Sequence, residues 1–116
     1  MATRGIRGAT TALKNDKTAI LEATKELLLA IVKENKLIIE DIASIQFSVT
    51  PDLNADFPAA AARNLGWSDT PLICMTEINV PGALPKCIRV LLLVNSAVNQ
   101  RDLKHIYLKD AVNLRR

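Results

Sequence analysis

Three charged residues stand where charge is least expected. In Cys87-Ile88-Arg89-Val90-Leu91-Leu92-Leu93-Val94, Arg89 is the only charge in a run that is otherwise apolar on either face of a strand. A guanidinium placed among Cys87, Leu91 and Leu93 costs several kcal/mol if nothing anionic meets it. Glu77 closes the preceding apolar run, and alternation sets it on the side of Ile73 and Met75. A glutamate and an arginine on two strands joined by a turn can face each other, either pairing directly or holding opposite ends of one polar ligand. Arg7 lies between Gly5 and Gly8, residues that permit close backbone approach. The chemistry open to such a set is binding and electrostatic stabilisation by fixed charge.

Other chemistries have few residues to draw on. His105 is the single histidine, and Cys74 and Cys87 sit in apolar runs without CxxC spacing. A zinc site needs about four clustered ligands, so no metal is expected. Both cysteines read as small buried hydrophobes in a reducing compartment, with thiol chemistry against a His105 base a minor alternative. The net charge of +3, from 15 basic and 12 acidic residues, is interspersed along the chain. That is a solvated mixed surface more than a nucleic-acid footprint, and 3% aromatic content supplies few stacking platforms. No apolar run approaches the roughly 18 to 20 residues that span a bilayer, so neither nucleic acid nor membrane is expected as a partner. The basic opening Met1 to Lys14 has too little periodicity for a targeting helix and suits a Gly-punctuated first strand.

The elements that must position these charges follow from periodicity. Ile20, Ala23, Leu27 and Ile31 form an apolar stripe at helical spacing, predicting one long helix from Asp16, its N-cap, to Asn35. From Ile42 to Thr50, Ala43, Ile45, Phe47 and Val49 alternate with Ile42, Ser44, Gln46 and Ser48, the pattern of a half-buried strand. Pro58 opens a short Ala-rich helix that Gly66 stops. Strands are expected from Pro71 to about Ile78 and from Lys86 to Asn95, with a turn at Pro81-Gly82. A helical turn near Asn99 to Lys104 precedes a last strand at about Ile106 to Asn113. The 116 residues therefore form a single domain of the α+β (α/β-like) class. Its mixed β-sheet has about five strands, with one long helix and one or two short ones. These helices cover little more than one face of a sheet whose strand around Arg89 is apolar on both, so a homo-oligomer is expected, subunits covering each other's sheets.

Several blocks carry a resemblance. Arg7-Gly8-Ala9-Thr10-Thr11, Thr50-Pro51-Asp52-Leu53 followed by Phe57-Pro58-Ala59, Cys74-Met75 with Glu77, Lys86-Cys87-Ile88-Arg89-Val90, and His105-Ile106-Tyr107-Leu108 occur in order across nearly the whole chain. Together they are similar to the trimeric, monofunctional chorismate mutases of the mixed α/β kind. The resemblance implies rearrangement of chorismate to prephenate in phenylalanine and tyrosine biosynthesis, without cofactor, in a cytoplasmic homotrimer with its sites in the clefts between subunits. It further implies that Arg89 lies on the ether oxygen of the substrate, Glu77 and the Cys74 region at the ring hydroxyl and ring, and Arg7 with Tyr107 at a carboxylate. Ile73, Cys74, Met75, Thr76 and Glu77 would line the pocket. Phe57, Ala59, Arg63, Leu114 and Arg115 would close its mouth. Ala60 departs from the family pattern, standing where a lysine can occur beside the pocket. Strict alternation sets Cys74 and Glu77 on opposite faces, so both line one site only if the strand bends or ends between them.

The implied reaction suits the inventory. A pericyclic rearrangement breaks a carbon-oxygen bond as it forms a carbon-carbon bond and needs no proton transfer, hence no general acid, base or nucleophile. The rivals are a non-enzymatic trimeric module that binds a small anionic metabolite in the same cleft, which has no need of Glu77, and a small trimeric imine hydrolase, in which Glu77 would position water.

Overall fold

The computed structural model describes residues 1–114. Strand β1 (Ala2–Thr11) leads into helix α1 (Lys17–Asn35), capped by Asp16, whose carboxylate accepts the Ala19 N–H at 2.7 Å. The helix ends where Lys36 turns left-handed (φ 52°) and its N–H returns to the carbonyls of Val32 and Lys33. Every residue of the predicted stripe is buried, and Thr24 and Leu28 join it. The buried Thr24 hydroxyl is satisfied within the helix by the Ile20 carbonyl at 2.8 Å.

Strand β2 (Ile42–Val49), helix α2 (Ala59–Asn64), strand β3 (Leu72–Thr76), strand β4 (Cys87–Ser96) and strand β5 (Ile106–Tyr107) follow, with single turns of 3-10 helix at Ile39–Asp41, Gln100–Asp102 and Lys109–Asn113. The five strands make one mixed sheet in the order β3-β2-β4-β1-β5. β4 runs antiparallel to both its neighbours, while β2 with β3 and β1 with β5 are parallel. Gly66, after α2, adopts φ +88°, the left-handed stop that its position predicts.

Both helices lie on one face of the sheet. Ile88, Val90, Leu92 and Val94 of β4 point there and are at most 4% exposed, packed with Ile6, Ile45, Phe47 and the α1 stripe. Close approach is possible because β1 offers Gly8: a Cβ there would stand 2.9 Å from Ile31 Cδ1 and 3.1 Å from Leu27 Cδ1. The other face, bearing Arg89, Leu91 and Leu93, is largely uncovered in the single chain. One corner is closed, where the last 3-10 turn drops Ala111 onto Ala9 and Cys87 beside Leu84 and Tyr107.

Four sequence expectations change. β3 and β4 are not neighbours across the Pro81-Gly82 turn, because β2 lies between them. The run expected to reach Ile78 stops at Thr76; Glu77 makes one more bond, to the Val49 carbonyl at 2.8 Å, and Ile78 is 78% exposed. The strand expected over Ile106 to Asn113 is two residues long, since Lys109 turns left-handed (φ 52°) and starts a 3-10 turn. Alternation in β2 is broken by a bulge between Ile42 and Ser44, which returns Ile42 to the buried face with Ile45 and Phe47 and leaves Ala43 exposed.

Candidate functional site

Register fixes what surrounds Arg89. It stands opposite Ser48 of β2 and Ala9 of β1, and directly opposed residues share a face. Arg7 opposes Leu91, as does Gln46, and Met75 opposes Ser48, so all of these project to the face without helices. With Arg89 they line a shallow cleft of about 220 Å³. Arg7 is held in place by its backbone, whose N–H donates to His105 Nδ1 at 2.9 Å.

Glu77 reaches Arg89 over β2, not across a hairpin. Its Oε1 accepts from the Ser48 hydroxyl at 2.7 Å and lies 3.9 Å from Arg89 Nη1. The two side chains are 28% and 44% exposed, so the pair contributes at most about 1 kcal/mol in the single chain. The expectation of a buried guanidinium is thereby corrected: within one chain Arg89 faces solvent, and desolvation begins only when something covers the face. Most of its five N–H donors remain available to a ligand.

A second and larger cleft, about 390 Å³, opens at the β3 edge, lined by Val49, Leu53, Asn54, Phe57, Pro58, Cys74, Met75 and Thr76 among others. Cys74 opposes Phe47 and so points to the helix-covered face. Burial pushes its thiol up, outweighing the Ala59 N–H and the positive charge of Arg63. Cys74 and Glu77 do lie on opposite sides of the strand, which ends between them at Thr76, and Met75 borders both clefts. Cys87 is still less reactive, pushed up by burial to about 11. In both, burial disfavours the thiolate, the nucleophilic form.

The predicted residues thus fall into three groups. Arg7, Ile73, Met75, Glu77 and Arg89 share the open face. Phe57 (66% exposed), Cys74 and Thr76 line the second cleft, while Arg63 and the buried Ala59 do not line it but meet Cys74, Arg63 through its positive charge and Ala59 through its backbone N–H. Tyr107, opposite Ala9, belongs to the open face but at the far edge of the sheet, and Leu114 ends the described chain beyond it. Arg115 lies outside the described residues. One chain does not gather all three groups into one pocket. Ser48, which carries the Glu77 carboxylate, is a residue that sequence reasoning passed over. Its signal was the polar series Ser44, Gln46, Ser48 in an otherwise apolar strand, but its value depends on β2 lying between β3 and β4.

Two arginines and a restrained carboxylate thus share an uncovered sheet face, an arrangement that offers fixed charge to a polar ligand. No set of three His, Cys, Asp or Glu side chains among the described residues could hold a metal ion. The chain belongs to the chorismate mutase type I family, a family of isomerases, whose sequence pattern matches residues 3–116. It is 47% identical over 116 residues to the chorismate mutase AroH of Bacillus subtilis (strain 168), covering 99% of this chain and 91% of that one. The chorismate mutase AroH of Thermus thermophilus is 46% identical over 113 residues, covering 97% of this chain and 93% of the relative. Among solved structures, a chorismate mutase from Clostridium thermocellum superposes with a TM-score of 0.91 at 51% identity, covering 92% of this chain and 96% of the other.

Proposed function

We propose that this chain converts chorismate to prephenate in aromatic amino-acid biosynthesis, as a cytoplasmic homotrimer whose sites form where the open face of one subunit meets the edge of the next. The observation that carries the reading is the Arg89–Glu77 arrangement, a cation and an anion 3.9 Å apart on an uncovered face, in a chain of this family. In the rearrangement the ether oxygen gains negative charge as its bond to the ring breaks, while the ring gains positive charge. Arg89 opposes the first and Glu77 the second, so both interactions strengthen on the way to the transition state. Arg7 and Tyr107 take a substrate carboxylate and help hold the flexible enolpyruvyl arm over the ring.

Enzymes lower barriers by at least about 8 kcal/mol, and one preorganised donor supplies roughly 2.7 to 4. Arg89 alone is insufficient, and the positioning of both carboxylates has to contribute the rest. Phe57, Ala59, Arg63, Leu114 and Arg115 are assigned to the mouth of the pocket, and Ile73 to Thr76 to its wall. Assembly is supported by apolar side chains on the face that the chain's own helices leave uncovered: partly exposed Leu91 and Leu93 on β4 and, across the polar row Ser44, Gln46 and Ser48 of β2, Ile73 (56% exposed) and Met75 (44%) on β3. It is supported also by the distance in the fold between Tyr107, at one edge of the sheet, and the Cys74 cleft at the other. A cytoplasmic setting suits two free thiols, and no helix among the described residues is long and apolar enough to cross a membrane. A simple anion-binding module fits less well, because Glu77 puts a negative charge into the anion site.

The test is direct. Purified protein is mixed with chorismate, its ultraviolet absorbance is followed, and prephenate is identified by acid conversion to phenylpyruvate. Loss of chorismate in proportion to protein is expected; loss no faster than the uncatalysed background would overturn the proposal.

A further inference from the structure

Glu77 lies beyond the end of β3, where a chain would ordinarily be free to wander, yet it is tied to β2 twice. Its N–H donates to the Val49 carbonyl at 2.8 Å, and its Oε1 accepts from the Ser48 hydroxyl at 2.7 Å. That same oxygen is the one nearest Arg89, and it stops at 3.9 Å from Nη1. A carboxylate and a guanidinium with freedom to move close to about 2.7–2.9 Å, commonly through two parallel hydrogen bonds. The separation is therefore about 1 Å wider than in such a closed pair. Ser48, opposed to Arg89 on one side and to Met75 on the other, is the group between them.

We infer that Ser48 is a positioning residue for the rearrangement: its hydroxyl holds Glu77 back from Arg89, so that a ligand finds the guanidinium fork and Oε2 of Glu77 unspent. The inference rests on the function proposed above and deepens it. Without the hydroxyl, Oε1 loses its donor and the carboxylate swings onto Arg89 as a closed ion pair, which each turnover must then open. The loss falls on kcat more than on KM, because the interactions of Arg89 and Glu77 that matter strengthen in the transition state.

The experiment measures chorismate turnover and melting temperature for the wild type, Ser48→Ala, Ser48→Thr and Ser48→Val, and for Ser48→Ala combined with Glu77→Ala. A hydrogen bond to a charged group supports an expected fall in kcat of about 10- to 100-fold for Ser48→Ala, with KM changed less than about threefold. Ser48→Thr, which keeps the hydroxyl, recovers most of the rate, whereas Ser48→Val, of the same shape without it, does not. Thr against Val decides the matter even if the alanine variant folds poorly. In the Glu77→Ala background, Ser48→Ala changes kcat less than about twofold, since the group it acts through is gone. Equal losses in both backgrounds, equal rates for Thr and Val, or wild-type turnover by Ser48→Ala would each overturn the assignment. A wild type that leaves chorismate untouched removes the proposed function and this role with it; an active wild type with an indifferent Ser48 removes the role alone.

Discussion

Strand β4 has two sides that do different work. Ile88, Val90, Leu92 and Val94 face α1 and are at most 4% exposed, within clusters of buried apolar side chains. Arg89, Leu91 and Leu93, their immediate neighbours in the chain, face outward, where the single chain supplies one long ion pair and a shallow cleft. The first side is finished by the chain's own helices. The second is the face on which we propose that another copy and a ligand complete the site. The difference teaches that, on the function proposed above, stability and catalysis are separable, since a two-residue period sorts the core and the proposed site onto opposite faces of the same strands.

The sharpest way to break that separation is Arg89→Lys. The charge stays but the planar fork is lost, and turnover is expected to drop by about a hundredfold or more with the melting temperature unchanged; steady-state kinetics beside circular dichroism reads both. On the covered face Leu27→Ala should do the reverse. Leu27 is fully buried against Gly8 and the sheet, so its truncation is expected to remove about 2–5 kcal/mol of stability in urea unfolding and to leave kcat, measured well below the transition, near normal. Leu93→Glu puts a charge on the open face without touching the core. It should lower the association state seen by sedimentation, and turnover with it, while a Leu93→Met control keeps both.

The smallest expected effect is at the start of β4. Asp52 accepts the Lys86 N–H at 2.9 Å and bonds Thr50, whose hydroxyl in turn accepts the Cys87 N–H at 3.0 Å. Burial pushes the Asp52 carboxyl up, but these hydrogen bonds and the charge of Lys86 together hold it below its ordinary value of 3.8. A lowered folded value means a contribution that is present above the ordinary carboxylate range and lost as pH falls through the folded value. Asp52→Asn should therefore reduce stability by at most about 1 kcal/mol at neutral pH and flatten the fall in melting temperature below about pH 4.

Much of the covered face was legible in the sequence, because burial against a helix or a sheet imposes a period. The α1 stripe and its Asp16 cap read straight from residue type. So did the inner side of β2, except where the bulge at Ile42 and Ser44 resets the alternation. Strand order was not legible: pairing β2 with β4 joins residues from 39 (Val49 with Ile88) to 52 (Ile42 with Val94) positions apart, and no local signal at Pro81-Gly82 says that a third strand will enter between β3 and β4. For the same reason Glu77 could be suspected as an anomalous charge, while Ser48, an ordinary polar residue in an alternating strand, could not be connected with it. β5 is shorter than the strand expected over Ile106 to Asn113 because the left-handed Lys109 ends the pairing. Arg89 itself was conspicuous, yet the reason differed from the one supposed. Of its neighbours, Cys87, Ile88 and Val90 are buried by this chain, and only Leu91 and Leu93 stay partly exposed on the face where a second subunit is proposed.

Whether the open face is a site shared between copies is tested most directly by separating the wild-type protein by size, weighing each fraction by light scattering and assaying each for chorismate turnover. The account predicts that turnover travels with a species of three times the 12.7 kDa of one chain. Full turnover in a fraction of 12.7 kDa would contradict it.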